Sequence, residues 1–422
     1  MRKISKISLV AAVAVAGFST ANAQPLEQAI KDVEVSGSVV YRYNNYDNNG
    51  ITPAGDQTES NNYKIGLNLA SKVNDYVKFN SRFIVGQSSD SGFASLNSKK
   101  TPEGTSPDKG SHDGNADVTL SNAYFGLTAI PNTVVNIGKQ GLATPYTVAT
   151  DINGNEQTGT GILALTTVGA LTAGIGYFNN TNLDASGDGA KATTTTPKWG
   201  TKNNVDGGSD VYVATLQGDL DFVKLEGWYL GLQNTFDTYT LAATSKLDLA
   251  KDAKINLEAR YVDLELDKKI AQGDSPENSM FRFAVDGKFN IVNARLAYTK
   301  TGKHGGLTAT DQDAKNTSLA WNATSLAYAN ADFYQAALGA DILDNLNFTM
   351  NYANLTSEKT DVVGALNKND AKIEEVYGQL TYKMSKNLNT YVRYGNISEE
   401  KDSDGKESKD QDMGRIQIAY SF

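Results

Sequence analysis

Two histidines, His112 and His304, and no cysteine leave this 422-residue chain little with which to make or break covalent bonds. Nucleophilic or general-base catalysis needs a side chain beside a base, most often an imidazole. Both histidines fall in polar stretches read as extracellular loops, so His112-Asp113 is a weak start for a barrel hydrolase. Absent cysteine also removes disulfide frameworks and thiolate metal sites. The run Asp151-Ile-Asn-Gly-Asn-Glu156 begins like a calcium loop, but Glu156 stands where such a loop requires glycine, and its later bidentate acid is missing. No cofactor is therefore required, with Ca2+ at Asp151 and Glu156 kept as a lesser reading. The charges that carry information lie elsewhere. Arg42, Lys64, Lys78, Arg82, Arg260, Arg282, Arg295, Lys383, Arg393 and Arg415 each sit on the polar side of a two-residue alternation, and Glu258 and Asp286 share that side.

A period of two segregates side chains to opposite faces of a strand. The last ten residues show it plainly: Gly414, Ile416, Ile418, Tyr420 and Phe422 alternate with Arg415, Gln417, Ala419 and Ser421. Comparable segments recur at Val35 to Tyr43, Tyr63 to Leu69, Val77 to Val85, Ile255 to Tyr261, Phe281 to Val285, Val292 to Tyr298, Leu346 to Tyr352 and Val376 to Tyr382. Together they predict about 18 strands near membrane-spanning length. An arginine or lysine on a lipid face near the midplane costs roughly 2–4 kcal/mol, and a slip of one residue exchanges the faces, so each cation pins its strand's register. Tyr41, Tyr43, Tyr63, Tyr261, Tyr298, Tyr352, Tyr394 and Tyr420 fall on the outward faces near strand ends, as an interfacial aromatic girdle requires. The segments 121–127 and 162–178 alternate less cleanly, which a neighbouring subunit or an inserted loop would explain.

Short turns at 71–75, 169–170, 249–252, 344–345 and 385–387 alternate with long polar loops at 44–62, 87–116, 179–209, 300–332 and 356–373. That is the pattern of periplasmic turns and extracellular loops. Residues 1–23 carry Arg2, Lys3 and Lys6, an apolar core at 9–18 and the small-residue site Ala21-Asn22-Ala23, which together read as a cleaved export signal. The remainder, 24–422, reads as one barrel domain in a bacterial outer membrane. A formal charge of −9 argues against a nucleic-acid partner. The mean hydropathy of −0.41 suits a barrel, where only alternate strand residues meet lipid.

A closed transmembrane antiparallel barrel of this size leaves an aqueous channel. Residues 138–161, which lack alternation, resemble the third loop of general porins, which folds inward and is commonly entered through a Gly-basic-Gln run, here Gly138-Lys139-Gln140. That resemblance places Asp151 and Glu156 across a constriction from some of Arg42, Lys64, Lys78, Arg82, Arg393 and Arg415, where opposed charges set ion preference. Pro25-Leu-Glu-Gln-Ala-Ile-Lys-Asp-Val-Glu-Val-Ser-Gly37 resembles the mature start of the Campylobacter-type major outer membrane porin family. The resemblance implies a homotrimeric general diffusion porin with a mild cation preference. Outer-membrane lipid and lipopolysaccharide would surround it. The barrel-assembly machinery would read its end at Tyr420 and Phe422. A sugar-selective channel is the nearest alternative, with Trp228, Tyr377 and Tyr391 as scattered inward aromatics; adhesion through the loops is compatible with either.

Overall fold

The computed structural model describes residues 32–49, 58–87, 90–96, 116–186, 207–271, 275–360, 370–400 and 407–422. The expected leader and His112 lie outside them. The described strands are β1 (Val33–Asn48), β2 (Thr58–Asn74), β3 (Val77–Gly86), β4 (Ala94–Ser95), β5 (Asp117–Leu127), β6 (Thr133–Gly141), β7 (Thr158–Val168), β8 (Leu171–Thr181), β9 (Val211–Leu220) and β10 (Val223–Leu232). They continue as β11 (Phe236–Ala250), β12 (Ala253–Leu266), β13 (Glu277–Phe289), β14 (Val292–Thr301), β15 (Asp332–Leu343), β16 (Leu346–Ser357), β17 (Ala371–Lys383), β18 (Leu388–Glu400) and β19 (Glu407–Ser421).

Eighteen of these form an antiparallel barrel in sequence order, and β1 closes it by pairing with both β2 and β19. No open edge remains to be satisfied in lipid, which is the condition for a sheet to span a bilayer. The two-residue β4 stands apart, pairing only with β2 at Asn62 and Tyr63, beyond the reach of the shorter β3. The closing seam ends on Phe422, whose backbone exchanges hydrogen bonds with Gly37. A side chain at Gly37 would run into the Phe422 ring at 2.7 Å, so glycine there lets the terminal aromatic lie flat on β1.

Burial is inverted relative to a soluble protein. Leu296, Leu338 and Leu241 are each more than 60% exposed, whereas the neighbouring Arg260, Arg282 and Thr240 are buried. Arg42, Lys64, Arg260 and Arg282 face the inner segments, which they contact, whereas Tyr177–Tyr212, Tyr229–Tyr239 and Tyr298–Tyr334 pair at 5.0–5.4 Å between ring centres on the other face.

Two long segments lie against the inner wall. Residues 142–157 join β6 to β7, and residues 302–331 join β14 to β15. The second departs from the expectation of a solvated extracellular loop. Its Leu307, Ala309, Leu326 and Ala327 pack with inward Val213, Leu230, Leu264 and Met280, while Trp321, Ala323 and Tyr328 pack with Phe333, Leu355, Ile373 and Ile397. Burying one such large apolar side chain contributes about 1.5–3 kcal/mol, which is ample reason for the segment to fold inward.

Candidate functional site: the lumen wall and its two docked loops

The first loop is held at its exit by Glu156, which is 2% exposed. Lys64 of β2 reaches its carboxylate at 2.7 Å, and Arg82 of β3 grips it with Nε at 2.9 Å and a terminal nitrogen at 2.7 Å. Ser121 of β5 adds a very short hydroxyl hydrogen bond. Ser121 can do so because the β3–β5 register slips between Arg82 and Phe83, and such a bulge re-aims the extra residue. That bulge also accounts for the poor alternation at 121–127. Burial alone would raise the Glu156 pKa, but hydrogen bonds from Arg82 and the charge of Lys64 outweigh it and hold the group below the ordinary glutamate range.

Lys64 also donates to the Gly154 carbonyl, and Arg42 of β1 donates to the Ile152 carbonyl at 3.0 Å. Gly154 has φ +82°, and a Cβ there would strike the Phe93 ring at 2.6 Å, so the turn admits glycine alone. Asp151 folds back on its own turn, accepting from the Asn155 amide nitrogen at 2.7 Å.

The second loop is held by many wall contacts, of which those of Arg282, Arg260 and Glu375 involve charged side chains. Arg282 of β13 donates to the carbonyls of Thr317 and Lys315 at 2.5 and 2.9 Å while pairing with Glu258 at 2.6 Å. Arg260 of β12 pairs with the same Glu258 at 3.1 Å and reaches Asn316. Glu375 of β17 accepts three consecutive backbone N–H groups, from Trp321, Asn322 and Ala323, at 2.6–2.8 Å.

The loops also hold each other. Gln157 donates to Asp311 at 2.5 Å, the Ile152 amide donates to Asp313 at 2.7 Å, and the Thr310 and Asn316 amides donate to the carbonyls of Tyr146 and Pro145. The Tyr146 hydroxyl accepts from Thr240 of β11 at 2.7 Å; burial pushes that phenol up to about 12, so it stays protonated at any physiological pH. The two segments and the wall thus form one hydrogen-bonded body.

The sequence reading has Asp151 and Glu156 face some of the basic wall residues across a narrow opening. In the structure both carboxylates are buried, and Glu156 is in direct contact with two of those residues, Lys64 and Arg82. Burial of the Glu156 charge is offset by the hydrogen bonds and charges of Arg82 and Lys64. Of the other basic residues in that set, Lys78 pairs instead with Glu34 near the short-turn end at 2.6 Å, and Arg393 and Arg415 lie with Arg42 along β18, β19 and β1. Asp286 pairs with Arg295 at 2.7 Å, and Lys383 is exposed near the turn that follows β17. Among the described residues, no group of three or more histidine, aspartate or glutamate side chains is arranged to hold a metal.

Sequence reasoning missed Trp321, Glu375 and the whole inward course of 302–331. A signal was present. Near the long-loop ends, Val211, Val213, Leu230, Leu232, Leu264 and Leu266 put apolar side chains on the lumen face, where water would not favour them. Such positions call for a cover.

A closed eighteen-stranded barrel with lipid-facing leucines and a charged interior limits the comparison to outer-membrane channels, and the family match agrees over the full length: residues 1–422 match the family described as Campylobacter major outer membrane protein. The chain belongs to that family. This makes it a porin of the bacterial outer membrane. No curated protein matches it in sequence. Among solved structures it is similar to Pseudomonas aeruginosa OccK2 (OpdF) in complex with glucuronate, with a TM-score of 0.69 at 15% identity, covering 93% of this porin and 98% of that chain. Pseudomonas aeruginosa OpdK with vanillate gives 0.67 at 14% identity, covering 93% and 99%. Acinetobacter baumannii OccAB3 gives 0.68 at 13% identity with the same coverage. At these identities the likeness establishes the fold of the porin.

Proposed function

We propose that this porin is a general diffusion channel: a water-filled path for ions and small hydrophilic solutes, without turnover chemistry, narrowed by residues 142–157 and 302–331. The observation that carries the reading is the inner wall itself, which bears charged and amide side chains and has two loops pinned to it at defined points. Such groups replace hydration along the path, and among the described residues His304 is solvent-exposed. A homotrimer embedded in lipid and lipopolysaccharide, assembled through recognition of the Tyr420–Phe422 end, completes the proposal. The stacked Tyr420 and Phe422 rings, 5.9 Å apart on the outer face, supply an ordered terminus for such recognition.

A substrate-selective channel is the second reading. It is favoured by the aromatic set around Arg393, and by neighbours of the same fold whose structures hold glucuronate and vanillate. Planar-bilayer recording distinguishes the two. General diffusion predicts an ohmic current growing linearly with KCl concentration, a reversal potential in a salt gradient displaced toward cations, and no saturable block by neutral oligosaccharides. Saturable block by a neutral sugar would transfer the function to the selective class, and absence of any conductance from folded protein would remove both.

A further inference from the structure

We propose that a cavity on the outer rim of the barrel, beside Lys300, Asp332, Lys372 and Glu400, binds a phosphate of a membrane glycolipid head group together with a divalent cation. The proposal rests on the reading above that lipopolysaccharide surrounds this porin, and it names where that lipid is held.

Lys300 pairs across the sheet with Asp332, Asp332 with Thr356, Thr356 with Lys372, and Lys372 with Glu400, so these residues form one row over β14 to β18. The row lies on the lipid side. Lys300 shares its strand face with Tyr298 and with Leu296, which is 64% exposed, and stands beyond both toward the long loops. In the same layer the outward tyrosines donate their hydroxyls to acids: Tyr298 to Asp332 at 2.6 Å, Tyr352 to Glu374 at 3.2 Å, Tyr229 to Asp237 at 2.6 Å and Tyr261 to Asp263 at 3.4 Å. A girdle of aromatics marks the membrane interface. The row is therefore level with lipid head groups.

A cavity of about 430 Å³ opens beside it, lined by the acids Asp332, Glu358, Asp370 and Glu400 and by the two lysines. Lys300 is committed, with Asp332 at 2.8 Å. Lys372 is held more loosely: Glu400 and Glu374 stand at 3.6 and 3.7 Å from its ammonium, too far for a hydrogen bond. An ammonium carries three N–H donors, so this one has donors to offer an anion.

An independent observation points the same way. Ser357 lines the same cavity, is only 8% exposed, and has a hydroxyl with no hydrogen-bond partner. A buried polar group left unpaired costs about 1–3 kcal/mol, so its position beside a cavity calls for a ligand. A phosphate answers both groups, accepting from Lys372 and from Ser357. The acids around it would repel a bare phosphate, and a divalent cation between them reverses that sign. Mg2+ is ordinarily held by one or two carboxylates together with phosphate oxygens, so Glu400 and its neighbours need not form a complete cage.

The test measures how much Kdo2-lipid A, a phosphorylated glycolipid, the folded porin retains through gel filtration in detergent, with MgCl2 or with EDTA. Retention should saturate in MgCl2 and fall about tenfold or more in EDTA. In Lys372→Gln the half-saturating lipid concentration should rise about tenfold, the loss expected for one charge-assisted contact. Ser357→Ala should raise it severalfold without lowering the heat stability of the lipid-free porin, and Glu400→Gln should raise the half-saturating MgCl2 concentration severalfold. No retention in MgCl2, retention indifferent to EDTA, equal retention by Lys372→Gln and the wild type, or displacement by an equal concentration of inorganic phosphate overturns the site. Each of these leaves the surrounding lipid in place. Failure of the porin to insert into vesicles containing Kdo2-lipid A would instead remove the reading that lipopolysaccharide surrounds it.

Discussion

Replacing Glu156 by glutamine is expected to turn a steady open-channel current into a fluctuating one. Glutamine keeps the shape but removes the negative charge that pairs with both Lys64 and Arg82, each within 2.7 Å of it. Breaking a buried pair by deleting one partner costs about 3 kcal/mol or more, because the surviving charges stay desolvated. The strand ladders are untouched, so the loss should fall on the exit of the 142–157 loop and not on the barrel, as local opening. Single-channel current variance should rise, and limited proteolysis should cut within that loop in the variant alone. Asp286→Asn is the control. Its pair with Arg295 is about 40% exposed, where solvent screening leaves little to lose, and the current should stay quiet. The pH dependence has a definite sign. Because the Glu156 pKa is held below the ordinary value, its contribution is complete above about pH 4.3 and is lost as pH falls through its lower folded value. Wild-type recordings should stay steady at neutral and alkaline pH and become noisy only in strong acid.

Glu375→Gln should loosen the other loop. The carboxylate accepts N–H groups from Trp321, Asn322 and Ala323 at 1% exposure, whereas glutamine offers one carbonyl oxygen and turns an NH2 toward the same donors. Hydrogen bonds to a charged acceptor contribute about 1.5–3 kcal/mol each, so losing even one exceeds most of what a single buried loop side chain returns. Trp321, packed edge-on against Tyr377 at 5.6 Å between ring centres, should swing toward water. The measurement is tryptophan fluorescence: a red shift and stronger acrylamide quenching in Glu375→Gln, both abolished when Trp321→Phe is added. An unchanged emission spectrum would mean that the three amides do not depend on the charge.

The contrast between these loops shows what one-dimensional pattern can carry. Strand register was legible because each lumen cation enforces it: Arg260 and Arg282 could not face lipid without a cost of roughly 2–4 kcal/mol, so their parity alone fixed β12 and β13. The outward tyrosines and the closing strand followed from the same two-residue period. Loop course has no such period. Residues 138–161 read as an inserted loop through a glycine-rich entry and two acids, yet one partner of Glu156 depended on the Ser121 bulge, one extra residue that alternation registers only as a blemish. Residues 302–331 read as polar because Thr308, Thr310, Asn316, Thr317 and Ser318 are polar. They are buried because the wall supplies matching donors and acceptors, a three-dimensional circumstance. The isolated Trp321 in that stretch was the available hint, and inward Leu230, Leu264 and Leu355 were its counterparts on the wall.

If the barrel conducts, alternate residues of each strand face water inside it. The chain contains no native cysteine, so single cysteines can be read without background. Introduced one at a time at Asn293, Thr349 and Gln379 on the inner face, and at Leu296, Leu338 and Met350 on the outer face, they should divide cleanly. A membrane-impermeant charged methanethiosulfonate, applied to the reconstituted porin, should react at the first three with a stepwise fall in current and leave the second three untouched. Equal labelling on both faces, or labelling of the inner positions with no change in current, would contradict it.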